Sequence, residues 1–150
     1  MKKLFFILLL LLPLLLIHSQ NIKQKAAFKY YGVENLDSKG NSVGSLNFEG
    51  VIVFSEAQGL NFISITIGDE ILYNGQVSQS KVDSSDPNTM CKVYLVVMDF
   101  QGEKVPLQIF ETYNKKESEY IPQYFIVNIH SAQTGKLVQG QLFKNISRIK

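Results

Sequence analysis

The chain has 150 residues, with 15 Lys or Arg against 13 Asp or Glu, one cysteine and no tryptophan. A single cysteine excludes an internal disulfide, so the domain depends on its apolar core. The charge balance offers no basic surplus with which to displace counterions from phosphates, which excludes a nucleic-acid partner.

The N-terminus reads as an export signal. Lys2 and Lys3 precede an apolar run from Leu4 to Ile17 that contains Pro13, and His18-Ser19-Gln20 then turns polar. Positive, then apolar, then small and polar is the secretory order. A membrane-spanning helix needs about 20 apolar residues, and this run has 14. Cleavage after Ser19 is therefore expected, giving a signal peptide over 1–19 and a single β domain over 20–150. The Met-Lys-Lys start and the run behind it are similar to the signals of bacterial exported proteins. That likeness implies a secreted or periplasmic domain with no stable membrane insertion once the signal is gone. The mature domain keeps one histidine (His130) and one cysteine (Cys91), too few for a zinc centre of the Cys/His type.

Period-two alternation dominates the rest, which is the strand signal. In chain order, Ile22–Tyr31 fits a strand through Ala26, Phe28 and Tyr30, although Ile22, Ala26 and Tyr30 also fit one face of a short helix. Leu46, Phe48, Ile52 and Phe54 alternate with polar neighbours, as do Ile63, Ile65 and Ile67. Lys92–Phe100 is apolar on both faces, and Cys91, Val93, Leu95 and Val97 are expected to share a buried one. Val105, Leu107 and Ile109 point one way, with Pro106 favouring the start or edge of its strand. Phe125, Val127 and Ile129 alternate again, and Lys136–Lys144 closes the set. Turn chemistry marks Asp99–Gly102, Gln133–Lys136 and, most strongly, Asn74-Gly75 as hairpins, with Gly68 read as a bulge. Glu34–Ser45, Ser78–Thr89 and Asn114–Tyr120 read as loops. About eight short strands in one domain predict an all-β antiparallel sandwich or up-and-down barrel, which local pattern does not separate.

Candidate chemistry is sparse. Asp83–Thr89 is rich in side-chain oxygens and suits calcium in composition, but Asp86-Pro87-Asn88 is accounted for by a type I turn. His130 sits at a strand end with no nucleophile signature near any serine or near Cys91. Glu49, Glu56, Glu103 and Glu111 read as solvated charges at strand ends and outer faces, with no facing pair of the kind a glycosidase needs. Lys23, Lys25 and Lys29 form a possible anion stripe or, more simply, a charged sheet edge. Tyrosines are numerous and suit either a sheet-face platform for a partner or amphipathic core positions. Asn145-Ile146-Ser147 fits a glycosylation acceptor, which matters only in a eukaryotic secretory pathway.

No catalytic residue, metal ligand or cofactor site is read from the chain, and no ligand-binding residue is assigned. The expectation is an exported non-enzymatic β domain that binds a protein or a glycan through a sheet face or loops. The alternative is a lipocalin-like barrel carrying a small apolar ligand, and a small hydrolase is the third reading. Asn47/Glu49 and Gln139/Gln141 look like solvated faces, which counts against a ligand barrel; an enclosed apolar pocket would count for one.

Overall fold

A computed structural model describes residues 22–117 and 120–150; the expected signal peptide lies outside them. Nine strands follow in chain order: β1 (Lys23–Leu36), β2 (Ser42–Ala57), β3 (Leu60–Ile67), β4 (Glu70–Asp83), β5 (Thr89–Phe100), β6 (Glu103–Asn114), β7 (Tyr124–His130), β8 (Leu137–Phe143) and the two-residue β9 (Ser147–Arg148). Each of β1 to β7 pairs antiparallel with the next, and β8 returns to β1. The ring is therefore closed, an eight-stranded up-and-down barrel rather than a sandwich. Strand β9 adds to β1 at Phe28 and Lys29, beyond the stretch of β1 that β8 covers. No helix occurs among the described residues.

Alternation sets the inside. Phe28, Tyr30, Ile52, Ile63, Ile65, Val96, Leu107, Ile109, Phe125, Val127 and Phe143 form one continuous buried cluster. Full burial of such side chains contributes about 1.5–3 kcal/mol each. Phe28 packs edge-on to Phe54 and tilted against Phe125, and Tyr30 lies edge-on to Phe143. The interior also holds a polar relay. The Tyr73 hydroxyl donates to Gln141 Oε1 (2.8 Å), and Gln141 Nε2 donates to Asn35 Oδ1 (3.0 Å). Asn47, Glu49 and Gln139 are exposed as expected, but Gln141 is not on a solvated face. It faces inward with Phe143, two residues on along β8.

Several local expectations change. The hairpin between β3 and β4 turns at Gly68-Asp69, with Gly68 at φ +54°, whereas Asn74-Gly75 lies inside β4. Gly75 is there because it faces the crowded interior: a Cβ would fall 2.5 Å from Val96 Cγ1 and 2.8 Å from the Val97 carbonyl. The strongest two-residue turn signal is thus explained by close strand packing. A turn with no strong signal forms at Gln58-Gly59, both at positive φ, and Gln101-Gly102 adopts the same geometry, the primed form that matches strand twist. Two polar stretches expected as loops are largely strand, since β1 runs to Leu36, β2 begins at Ser42 and β4 continues to Asp83. Pairing to neighbours on the ring holds them extended without buried side chains. Pro106 lies just before the stretch of β6 that pairs with β7, Leu107–Thr112, so it sits where the strand has one neighbour. In β5 Tyr94 and Val96 turn to the barrel interior; on the other side Leu95 and Val97 are 40% and 37% exposed and Cys91 is half-buried, while Val93 is buried as expected. A run apolar on both faces carries no phase, which is why the expected burial holds for Val93 and fails for Leu95 and Val97.

Candidate ligand-binding cavity

All eight strands of the ring alternate in direction, so one end gathers the start of β1, β3, β5 and β7 with the end of β2, β4, β6 and β8. At this end the packed core stops short and leaves a cavity of about 400 Å³. Phe28 and Phe54 line its base, backed by Phe125 at ring-centroid distances of 5.6 and 6.1 Å. Tyr94 leans on Phe54 at 5.3 Å. Val77 and Ser80 of β4 and Ala26 of β1 add to the wall, while Lys25, Lys92, Tyr120 and Arg148 stand around the opening. Ligand sites are usually concave, mainly apolar and furnished with a few fixed polar groups, and an eight-stranded barrel has room for one small molecule.

The fixed polar group is Glu111 on β6, 3% exposed. The Tyr94 hydroxyl donates to its Oε2 at 2.5 Å, and the Tyr113 hydroxyl donates to Oε1. Lys92, directly across the ladder from Glu111, holds its ammonium 4.0 Å from Oε2 and 4.9 Å from the centre of the Tyr113 ring. Burial raises the Tyr94 phenol well above its ordinary value, and the Glu111 charge with its hydrogen bond adds to the effect. Tyr113 is raised by burial and by its bond to Glu111, opposed by the Arg148 charge. Both phenols are therefore held as donors at neutral pH, locked onto one carboxylate.

The residues singled out from sequence fall elsewhere or acquire different roles. Glu111 was read as a solvated charge, and the structure corrects this, because it is inside the barrel; Glu49, Glu56 and Glu103 are outside it. Asp83 accepts from the Ser85 amide and hydroxyl, and Asp86 accepts from the Asn88 and Thr89 amides at 2.7 and 2.9 Å. The Lys115 ammonium donates to the Ser84 and Asp86 carbonyls at 2.8 and 2.6 Å. A lysine thus sits where the loop carbonyls converge. His130 lies at the opposite end of the ring, with Nδ1 3.1 Å from the Gly135 carbonyl oxygen.

Strand β1 closes the ring with β8 through Val33–Leu36 and takes β9 at Phe28 and Lys29, whereas Lys23–Ala26 pairs with β2 alone, so Lys23 and Lys25 do lie on a charged edge as expected. Lys25 pairs with Glu56 at 2.5 Å, and Lys29 with Glu49 at 3.6 Å on the outside. Tyr30, Tyr73, Tyr94 and Tyr113 point inward; Tyr31 and Tyr120 are the exposed ones. A signal for the cavity was present. The alternation Leu107, Ile109 extends without a break to Glu111 and Tyr113, and Lys92 and Tyr94 share the parity of Val96. Comparison of the chain with protein-family models, curated proteins and solved structures found no match. Fold and cavity define the class by themselves: a closed eight-stranded barrel with an aromatic cup open at one end.

Proposed function

We propose that this protein holds one small, largely apolar molecule in the cup, as an exported carrier or sensor rather than an enzyme. The observation that carries the reading is the cavity itself, about 400 Å³, floored by packed aromatic rings at one end of a closed barrel. Four tyrosines that would otherwise serve a sheet-face platform for a protein or glycan are turned inward. Export is supported by the sequence of Met1–Ser19 alone. An interior filled with apolar side chains, and polar residues such as Lys29, Glu49 and Lys81 outside, suit a barrel in water rather than one facing lipid.

Titration with the uncharged fluorophore N-phenyl-1-naphthylamine tests the proposal. Saturable binding at one site per chain is expected. Ala26→Trp, which projects an indole into the cup, should abolish it while the far-ultraviolet circular dichroism stays that of the parent. No saturable binding by the parent protein would overturn the reading.

A further inference from the structure

The charges around the cup do not cancel. Lys25 is matched by Glu56 at 2.5 Å, and Lys92 faces Glu111 at 4.0 Å. Arg148 also lines the cavity, and no carboxylate among the described residues pairs with it. Its position is fixed by backbone: Arg148 pairs with Phe28 on β1, and the Ile149 amide donates to the Ala27 carbonyl at 2.9 Å. The guanidinium is exposed but anchored at its base, above a wall of aromatic rings.

We infer that the molecule held in the cup carries a single anionic group, bound at the rim by Arg148 with Lys92 beside it, over an apolar body seated on Phe28 and Phe54. This rests on the carrier reading and adds the ligand class. A carboxylate, sulfonate or phosphate ester supplies the planar or forked oxygens that a guanidinium engages with two parallel hydrogen bonds. An amine ligand fits less well. Both oxygens of Glu111, the acid inside the cup, already accept phenol hydrogens, and Lys92 holds the remaining approach. Glu111 thus orients the wall and keeps Lys92 at the opening, and the uncompensated charge left over is positive. The cavity volume, at the low end for ligand sites, restricts the apolar body to a few fused rings or a short chain.

Two fluorophores with one skeleton separate this inference from the one beneath it. N-phenyl-1-naphthylamine is neutral, and 8-anilinonaphthalene-1-sulfonate carries one sulfonate on the same frame. At low salt the sulfonate should bind about tenfold more tightly, the scale of one charge-assisted hydrogen bond. Arg148→Gln should remove most of that preference, and the double variant with Lys92→Gln the rest, while the neutral probe binds as before and so reports an intact cup. Raising ionic strength should narrow the preference in the parent. Equal binding of the two probes, or a preference that survives Arg148→Gln, overturns the anion inference and leaves carriage standing. Failure of both probes to saturate overturns carriage itself.

Discussion

Glu111 is the residue on which the cup is organised. It sits 3% exposed among aromatic rings, and its acceptors are matched one to one by the hydroxyls of Tyr94 and Tyr113. Removing a partner from a buried donor costs about 1–3 kcal/mol, more than the hydrogen bond itself contributes. Glu111→Ala strands two donors and opens space between β5 and β6, so urea denaturation should show a loss of about 2–4 kcal/mol. Glu111→Gln keeps one oxygen acceptor and the volume, and should cost clearly less. Equal losses for the two variants would mean that the phenols find other acceptors and that the carboxylate is not what holds the wall. The Tyr94–Phe54 contact gives a second readout, because tyrosine near-ultraviolet dichroism should weaken in Glu111→Ala as Tyr94 is released.

Among the strands, β2 shows how one missing Cβ shapes an element. Its second half pairs with both β1 and β3, and its first half, Ser42–Glu49, pairs with β1 alone. Gly50 stands at the change. A Cβ there would lie 1.8 Å from the Thr66 carbonyl oxygen and 2.6 Å from the Tyr30 hydroxyl, and that hydroxyl donates to the same carbonyl at 2.7 Å. Gly50→Ala should therefore destabilise by about 1–3 kcal/mol as the strands are pushed apart. Gly44→Ala on the same strand, with nothing within 4 Å, should change stability by no more than about 0.5 kcal/mol. Matching values for the pair would refute the close approach.

The strands themselves were legible from alternation, because one inward face per strand leaves a period-two trace. What alternation does not carry is which strands meet. The Asn74-Gly75 pair looks like a turn from its own residues, and only the Val96 side chain across the ladder shows why glycine is needed. Glu111 was overlooked for a related reason. A lone carboxylate reads as solvated until the two tyrosines that accept its burial are brought beside it from β5 and β6.

At the scale of the whole molecule, the buried phenols couple stability to alkaline pH. Burial pushes Tyr30 and Tyr73 up to about 12, and Tyr94 and Tyr113 are raised as well. An unfolded tyrosine titrates near pH 10. Below that value folded and unfolded chains hold the same phenol protons, and the stabilisation is fully present. Above it the unfolded chain releases protons that the folded chain keeps, so stability falls as pH rises. Phenolate absorbance should therefore stay short of all seven tyrosines until a cooperative step that coincides with loss of β dichroism. Complete titration near pH 10 with the dichroism unchanged would contradict the inward placement of these four rings.

The seam of the barrel has a kinetic consequence. Strand β1 is completed on one side by β8 and β9, which follow it in the chain by seven strands or more, so β1 waits for distant residues before its neighbours are all in place. Contacts between chain ends are the slowest to form. Ring closure is therefore an all-or-nothing event, because β1 has no partner across the seam until Leu137–Phe143 is available to pair with it.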